Sequence, residues 1–363
     1  MNTRVGIITI IDNNNYGNRL QNYAVQEILK KKNINVSTLK NLEDFNFKKK
    51  FFYKAFKHLY RSIKCFFNKI FYRANNEFDE RKKCFEKFNE NIKFSKTFIT
   101  AYSNINNKFD YFITGSDQVW NPCFFRLSDV DFLCFADPKK RIAFSASFGI
   151  SEIPENLKDY CKKNLLKMKY ISVREEKGKE IIQKLTERKD VEVLVDPTML
   201  LTSKDWDNVT KKPKQLKTDK YILNYFLGEI SDKRKREIYR IAEENNCKVI
   251  NILDKNSPFY QTGPSEFLYL EKNAFLICTD SFHSCVFAIL YNRPFIVFDR
   301  EDKNISMNSR IETLLNKFEL QDRKFNGKIS KENLEWNYES TYKILEDEKV
   351  KADKFLKTVL EEK

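Results

Sequence analysis

Residues 274–298 read AFLICTDSFHSCVFAILYNRPFIVF, and this stretch decides the fold. The run 274–279 is short and apolar, and a polar turn at 280–283 ends it. Residues 284–291 are then apolar at almost every position, as in a buried helix, and 294–298 is a second short apolar run behind Pro294. Two strands joined through a helix must run parallel. Strands that are apolar on both faces are covered on both faces, which makes this a Rossmann-like α/β unit. The polar turn at the end of its first strand is where such sheets hold ligands.

The same alternation extends outward. Residues 221–226 and 249–253 read as strands and 233–245 and 265–272 as helices, while the Lys- and Pro-containing stretch 211–220 marks a crossing between lobes. Before it, 5–11 is a β-branched strand and 12–18 an Asn-rich loop. Leu20, Tyr23, Ala24, Ile28 and Leu29 then recur at helical spacing, and 36–39 is the next strand. Strands at 111–114, 141–146, 170–173 and 191–195 alternate with helices at 155–168 and 175–184, and helices at 310–318 and 331–360 close the chain. The expected fold is α/β, two Rossmann-like lobes facing a cleft. The expected domains are an N-terminal lobe at 1–205, a C-terminal lobe at 206–325, and a helical segment at 326–363.

An insertion at about 45–95 interrupts the first lobe. In it Phe52, Phe56, Leu59, Tyr60, Ile63, Phe66, Phe67 and Ile70 share one helical face, with Lys54, Lys57, Arg61, Lys64 and Lys69 largely elsewhere. This basic amphipathic helix at 51–71 has two readings, contact with an anionic membrane surface or packing on the first lobe. A second, more charged helix is expected at 76–89.

The chain of 363 residues is 41% hydrophobic and 32% charged, with a formal charge of +15. It holds no apolar run of about 18 residues and no signal-like leader, so a cytoplasmic protein, peripheral at most at the inner face of the membrane, is expected. Eight cysteines without a CxxC pair read as reduced packing thiols. With only His58 and His283 present, no metal centre and no resident cofactor are expected. The positive charge points to anionic partners, but nucleic-acid signatures are missing, and no nucleic-acid partner is expected.

Three further places join the turn at 280–283 as candidate sites. Loop 12–18 leads into a helix N-terminus, suited to an anion or a polar sugar group and equally to a plain Asx-rich turn. Residues 114–122 set Ser116, Asp117 and Gln118 after an apolar strand, with a turn and N-cap as the other reading. Arg174 follows the strand 170–173, so its guanidinium is expected to emerge at the crevice, or else to pair with Glu175 or Glu176. His283 stands at a strand-to-helix turn facing the inter-lobe cleft, with a charge state that neighbours can adjust. His58 reads as a surface residue.

The segments YGNRLQNYAVQEIL, FDYFITGSDQVWNP, ISVREEKGKEII, VDPTMLL and EFLYLEKNAFLICTDSFHSCVFAILYNRPFIVF together resemble the polysaccharide pyruvyltransferase family over most of the chain. The serine-phenylalanine-histidine turn and the glycine-serine-aspartate-glutamine-valine-tryptophan run are the specific pieces. Members often place glycine after that histidine, where this chain has Ser284. The resemblance implies transfer of pyruvate from phosphoenolpyruvate, a co-substrate, to hydroxyls of a saccharide acceptor that is commonly lipid-linked, in surface or extracellular polysaccharide biosynthesis. It implies His283 and Arg174 as catalytic residues and Arg174, Ser281, His283, Ser284 and Arg310 as donor contacts. It also implies a GT-B-like arrangement with the acceptor on the lobe at 1–205 and the donor on the lobe at 206–325, and Asn18, Gln21, Ser116, Asp117 and Gln118 are the implied acceptor contacts. His283 is either the general acid or a phosphate ligand. The rival readings are a sugar-nucleotide glycosyltransferase of the same architecture and a non-catalytic saccharide-binding protein.

Overall fold

The computed structural model describes residues 3–42, 71–124, 126–300, 309–336 and 339–361. Among these residues the strands form two sheets, with every pairing parallel. The first sheet contains β1 (Arg4–Ile8), β2 (Asn35–Asn41), β3 (Phe94–Ile99), β4 (Tyr111–Thr114), β5 (Arg141–Ala146), β6 (Tyr170–Val173) and β7 (Val191–Val193) in the order β3-β2-β1-β4-β5-β6-β7. The second contains β8 (Tyr221–Tyr225), β9 (Lys248–Asn251), β10 (Leu276–Thr279) and β11 (Phe295–Val297) in the order β11-β10-β8-β9. Two Rossmann-like α/β lobes follow from these two orders.

The helices, in chain order, are α1 (Tyr16–Lys31), α2 (Phe71–Asn89), α3 (Lys158–Leu165), α4 (Glu176–Thr186), α5 (Ser203–Asp207), α6 (Asp232–Glu244), α7 (Pro264–Asn273), α8 (Phe282–Leu290), α9 (Ser309–Lys317) and α10 (Glu339–Glu361). Helix α1 is buried along nearly its whole length, because it lies between the lobes rather than on one. Tyr16 stacks on Phe85 and Phe267 at centroid distances of 5.3 and 4.5 Å, and Tyr23 and Phe287 both pack on Trp206. One continuous apolar core therefore runs from β1 and α1 through α7 and α8 into the second sheet. The lobes are joined on this side, and the cleft opens on the other.

Several expectations are corrected. Strand β3 was not anticipated, since its exposed middle residues at the sheet edge leave no apolar run to recognise. The helix expected over 331–360 is a 3₁₀ turn at Glu332–Leu334 followed by α10. Helix α10 also leaves the second lobe. Its Phe355 stacks on Phe144 and its Lys351 donates to the Val193 carbonyl at 2.8 Å, which ties the chain end back to the first sheet. The basic helix expected at 51–71 lies outside the described residues. The helix expected at 76–89 is the C-terminal part of α2. No helix among the described residues is long and apolar enough to cross a membrane.

Candidate active site

The chain order places the site. In the first sheet the connections run outward one way from β1 and the other way from β4. In the second they diverge from β8 and β10. Diverging connections leave a crevice at the carboxyl ends of those strand pairs. The loops after all four strands line one cavity of about 420 Å³: Asp12 and Asn15 after β1, Asp117 and Gln118 after β4, Leu227 after β8, and Ser281 and His283 after β10. Arg126, Arg300 and Arg310 also line it, so both lobes contribute and cations stand on both sides. The volume suits a small substrate or one end of a larger one.

Behind this lining is a layer of buried charge. The Arg174 side chain is 0% exposed, and its Nη1 donates to Asp196 Oδ2 at 2.7 Å and its Nη2 to Asp117 Oδ1 at 3.0 Å. Its guanidinium does not emerge at the crevice as expected, because two carboxylates hold it inward while the Phe282 ring covers it at 4.6 Å. Glu175 stands farther away, 3.9 Å from Nε, and instead accepts from the Ser147 hydroxyl at 2.8 Å and the Phe148 amide at 3.1 Å. Asp196 also accepts from the Ser116 hydroxyl at 2.8 Å and from the Thr198 amide and hydroxyl at 3.0 and 2.7 Å. Asp117 accepts from the Asn18 amide and, at 2.8 Å, from the Gln118 backbone. Burial acts to raise the Asp117 carboxyl, but Arg174, His283 and Arg310 outweigh it and hold its pKa down at about 2. Asp196 is lowered against the same burial, by Arg174 first. Arg174 is raised, since its carboxylates more than offset burial.

His283 lies in the first turn of α8 rather than in the turn before it, with Ser281 as N-cap residue. Its Nε2 is 3.8 Å from Asp196 Oδ2, too far for a hydrogen bond, and has no hydrogen-bond partner among the described residues. Burial lowers its pKa from 6.5 more than Asp196 and Asp117 raise it, which favours the neutral imidazole. One face of the ring lies directly on Gly17. A Cβ there would sit 2.1 Å from Nδ1, so only glycine fits. Arg310 is lowered to about 10 by burial and by Arg174. With its amide oxygen turned toward the guanidinium, Gln118 accepts from both terminal nitrogens of Arg310 at 3.1 Å.

Of the ten residues singled out in the sequence, Asn18, Asp117, Gln118, Ser281, His283 and Arg310 line the cavity. Gln21, Ser116, Arg174 and Ser284 do not. Gln21 accepts from the Ser116 amide at 3.1 Å and donates to Thr9 at 2.7 Å, and so braces β1 against β4 from within. Ser284 points away and donates to the buried Glu271 at 2.5 Å. Asp196, which stands between the Arg174 web and His283, reads in the sequence only as the polar end of the strand before Pro197. Gly17, Arg126 and Arg300 were also missed. Gly17 had a signal, as the one glycine of its loop, but what it touches is 266 residues away in sequence.

The profile of the polysaccharide pyruvyl transferase family matches residues 15–302, which include every cavity residue except Ile10, Asp12 and Arg310. No curated protein matches the chain. Among solved structures, UDP-GlcNAc 2-epimerase of Methanocaldococcus jannaschii in complex with UDP-GlcNAc and UDP is similar at 14% identity, covering 96% of this chain and 99% of that one, with a TM-score of 0.45. The Neisseria meningitidis UDP-GlcNAc 2-epimerase bound to UDP-GlcNAc is similar at 11% identity, covering 98% and 100%, with a TM-score of 0.47. With most of its length matched by the family profile, the chain belongs to the polysaccharide pyruvyl transferase family.

Proposed function

We propose that the chain transfers pyruvate from phosphoenolpyruvate to two hydroxyls of a saccharide, forming a pyruvyl ketal in surface or extracellular polysaccharide biosynthesis. One observation carries the reading: Arg126, Arg300, Arg310 and the imidazole of His283 converge on a single small cavity at the N-terminus of α8. Phosphoenolpyruvate carries a phosphate and a carboxylate, and arginines in a desolvated cleft are suited to gripping both. The helix N-terminus adds partial positive charge on the same side.

A bound phosphate dianion raises the His283 pKa, so donor binding itself protonates the imidazole. His283 gives that proton to the methylene carbon of the donor while the first acceptor hydroxyl bonds to the neighbouring enol carbon. The hydroxyl's proton returns to His283. The bond from that carbon to the phosphate oxygen then breaks, with Arg310 stabilising the negative charge that builds on the leaving group. The second hydroxyl closes the ketal, and its proton leaves on the phosphate. Asn18, Asp117 and Gln118, on the opposite wall, orient the hydroxyls. Arg174 holds Asp117 and Asp196 in place and does not touch the donor. No step uses a metal or a resident cofactor.

Incubation with phosphoenolpyruvate and a free or lipid-linked oligosaccharide tests the reading. It is expected to release inorganic phosphate and add a pyruvate-sized mass to the saccharide. Release of a nucleoside diphosphate from a sugar nucleotide would support the glycosyltransferase reading instead, and saccharide binding without turnover the non-catalytic one. The basic aromatic pattern at 51–71 supports a further part of the proposal, peripheral attachment to anionic membrane near a lipid-linked acceptor. Flotation with anionic liposomes is expected, and its persistence after replacing Lys54, Lys57, Arg61 and Lys64 would refute that attachment.

A further inference from the structure

Arg81 on α2 belongs to none of the site residues, yet it bonds to both lobes at once. Its side chain is buried, with the residue 2% exposed. Nε donates to Asn14 Oδ1 at 2.7 Å and Nη2 to the Asn14 carbonyl at 3.4 Å, in the loop that follows β1. Nη1 donates to the carbonyls of Tyr260 and Thr262, both at 3.1 Å, in the second lobe, and to the Tyr16 hydroxyl, which itself donates to the Thr262 carbonyl at 2.8 Å. The guanidinium lies over the rings of Tyr16 at 4.6 Å and Tyr260 at 5.4 Å. Every oxygen it bonds is a carbonyl, an amide or a phenol. Burying a cation among neutral acceptors is costly, and losing even one of them exposes that cost, so the arrangement is held in a single geometry.

That geometry matters because of what the gripped loop carries. Asp12 and Asn15 on either side of Asn13 and Asn14 line the cavity, and two residues beyond Asn15 the backbone of Gly17 supports the His283 ring. A second bond from the same helix, from the Asn89 amide to Asn13 Oδ1 at 2.9 Å, fixes the loop at its other point. We propose that Arg81 is a positioning residue: by bonding Asn14 of the first lobe and the 260–262 segment of the second, it sets the loop on which the His283 imidazole rests. It acts through that loop and does not itself line the cavity.

The turnover part of the test rests on pyruvyl transfer as proposed above; the imidazole part does not. With only two histidines in the chain, a His58→Gln background leaves His283 as a single imidazole resonance. Arg81→Lys keeps the charge and loses the planar fork. It is expected to move the His283 resonance and its titration midpoint, and to lower turnover about 10-fold, mainly in kcat, with the unfolding midpoint retained. Asn14→Ala removes only the exposed end of the contact, and it carries the test if Arg81→Lys does not fold. It is expected to reproduce the imidazole shift, and the double variant to show no further shift. An imidazole titration unchanged in the folded variants would overturn the assignment. Absence of pyruvyl transfer in the unmodified protein would sink the functional reading alone and leave the imidazole result to decide on Arg81.

Discussion

Arg174 and Arg310 are the same residue type in the same site, and the fold uses them in opposite ways. Arg174 comes from the first lobe and is sealed against Asp117 and Asp196, with no surface left for a substrate. Arg310 comes from the second lobe, faces the cavity, and meets the neutral amide of Gln118 there. One raises its own affinity for a proton through its carboxylates and the other loses some to burial. The lesson is that a guanidinium beside a cleft serves the wall or the ligand according to what its neighbours already supply. In the first lobe the guanidinium is held between two buried carboxylates, and in the second it faces the cavity.

The sharpest way to break this comparison is to remove both arginines separately. Arg174→Met leaves two carboxylates buried without their cation, and a loss of about 3–5 kcal/mol in urea unfolding is expected. Arg310→Met is expected to stay within about 1 kcal/mol of the parent stability while the proposed pyruvyl transfer falls about 100-fold or more. If the two effects were exchanged, the roles given to the two residues would be wrong. Gly17→Ala forces a methyl group into the His283 ring. A loss of about 1–3 kcal/mol in stability, with a displaced imidazole resonance, is expected by the same unfolding and magnetic resonance measurements.

The smallest effect concerns pH. Burial places the folded His283 pKa below the 6.5 of the unfolded chain. Between those two values the unfolded chain binds more protons, so stability falls as pH drops below about 6.5 toward the folded pKa. His283→Gln is expected to remove that slope, seen as urea midpoints that differ less between pH 7 and about 5 than those of the parent. The Asp117 contribution has the other origin: with a folded pKa of about 2 against an ordinary 3.8, it is complete above 3.8 and lost only as pH falls from there toward 2. Equal slopes in parent and His283→Gln would mean that the imidazole is not buried neutral.

The alternation of strands and helices was legible because parallel strands covered on both faces must be apolar throughout, and runs such as 111–114, 141–146 and 170–173 have the same bounds in the structure. Strand β3 was not legible, since an edge strand need not be apolar. Within the site, a polar residue directly after an apolar strand was a usable signal, and it located Asp117, Ser281 and His283. It could not tell Ser116 from Asp117, because which side of the strand end faces the cavity depends on the backbone there; Asp117 takes a positive φ of 68° and turns toward Arg174 while Ser116 turns inward to Asp196.

By itself the amino-acid sequence determined the two-lobed α/β plan and the strand ends at which chemistry is placed, since hydrophobic period and turn chemistry are local properties. Only the tertiary structure decided which charges are spent on each other. Asp196 meets Arg174 across 22 residues and approaches His283 across the cleft, Gly17 meets that same imidazole from the other lobe, and Arg81 reaches one loop 67 residues before it and another 179 residues after it. A charge is neutralised by distance in space, which no local pattern records.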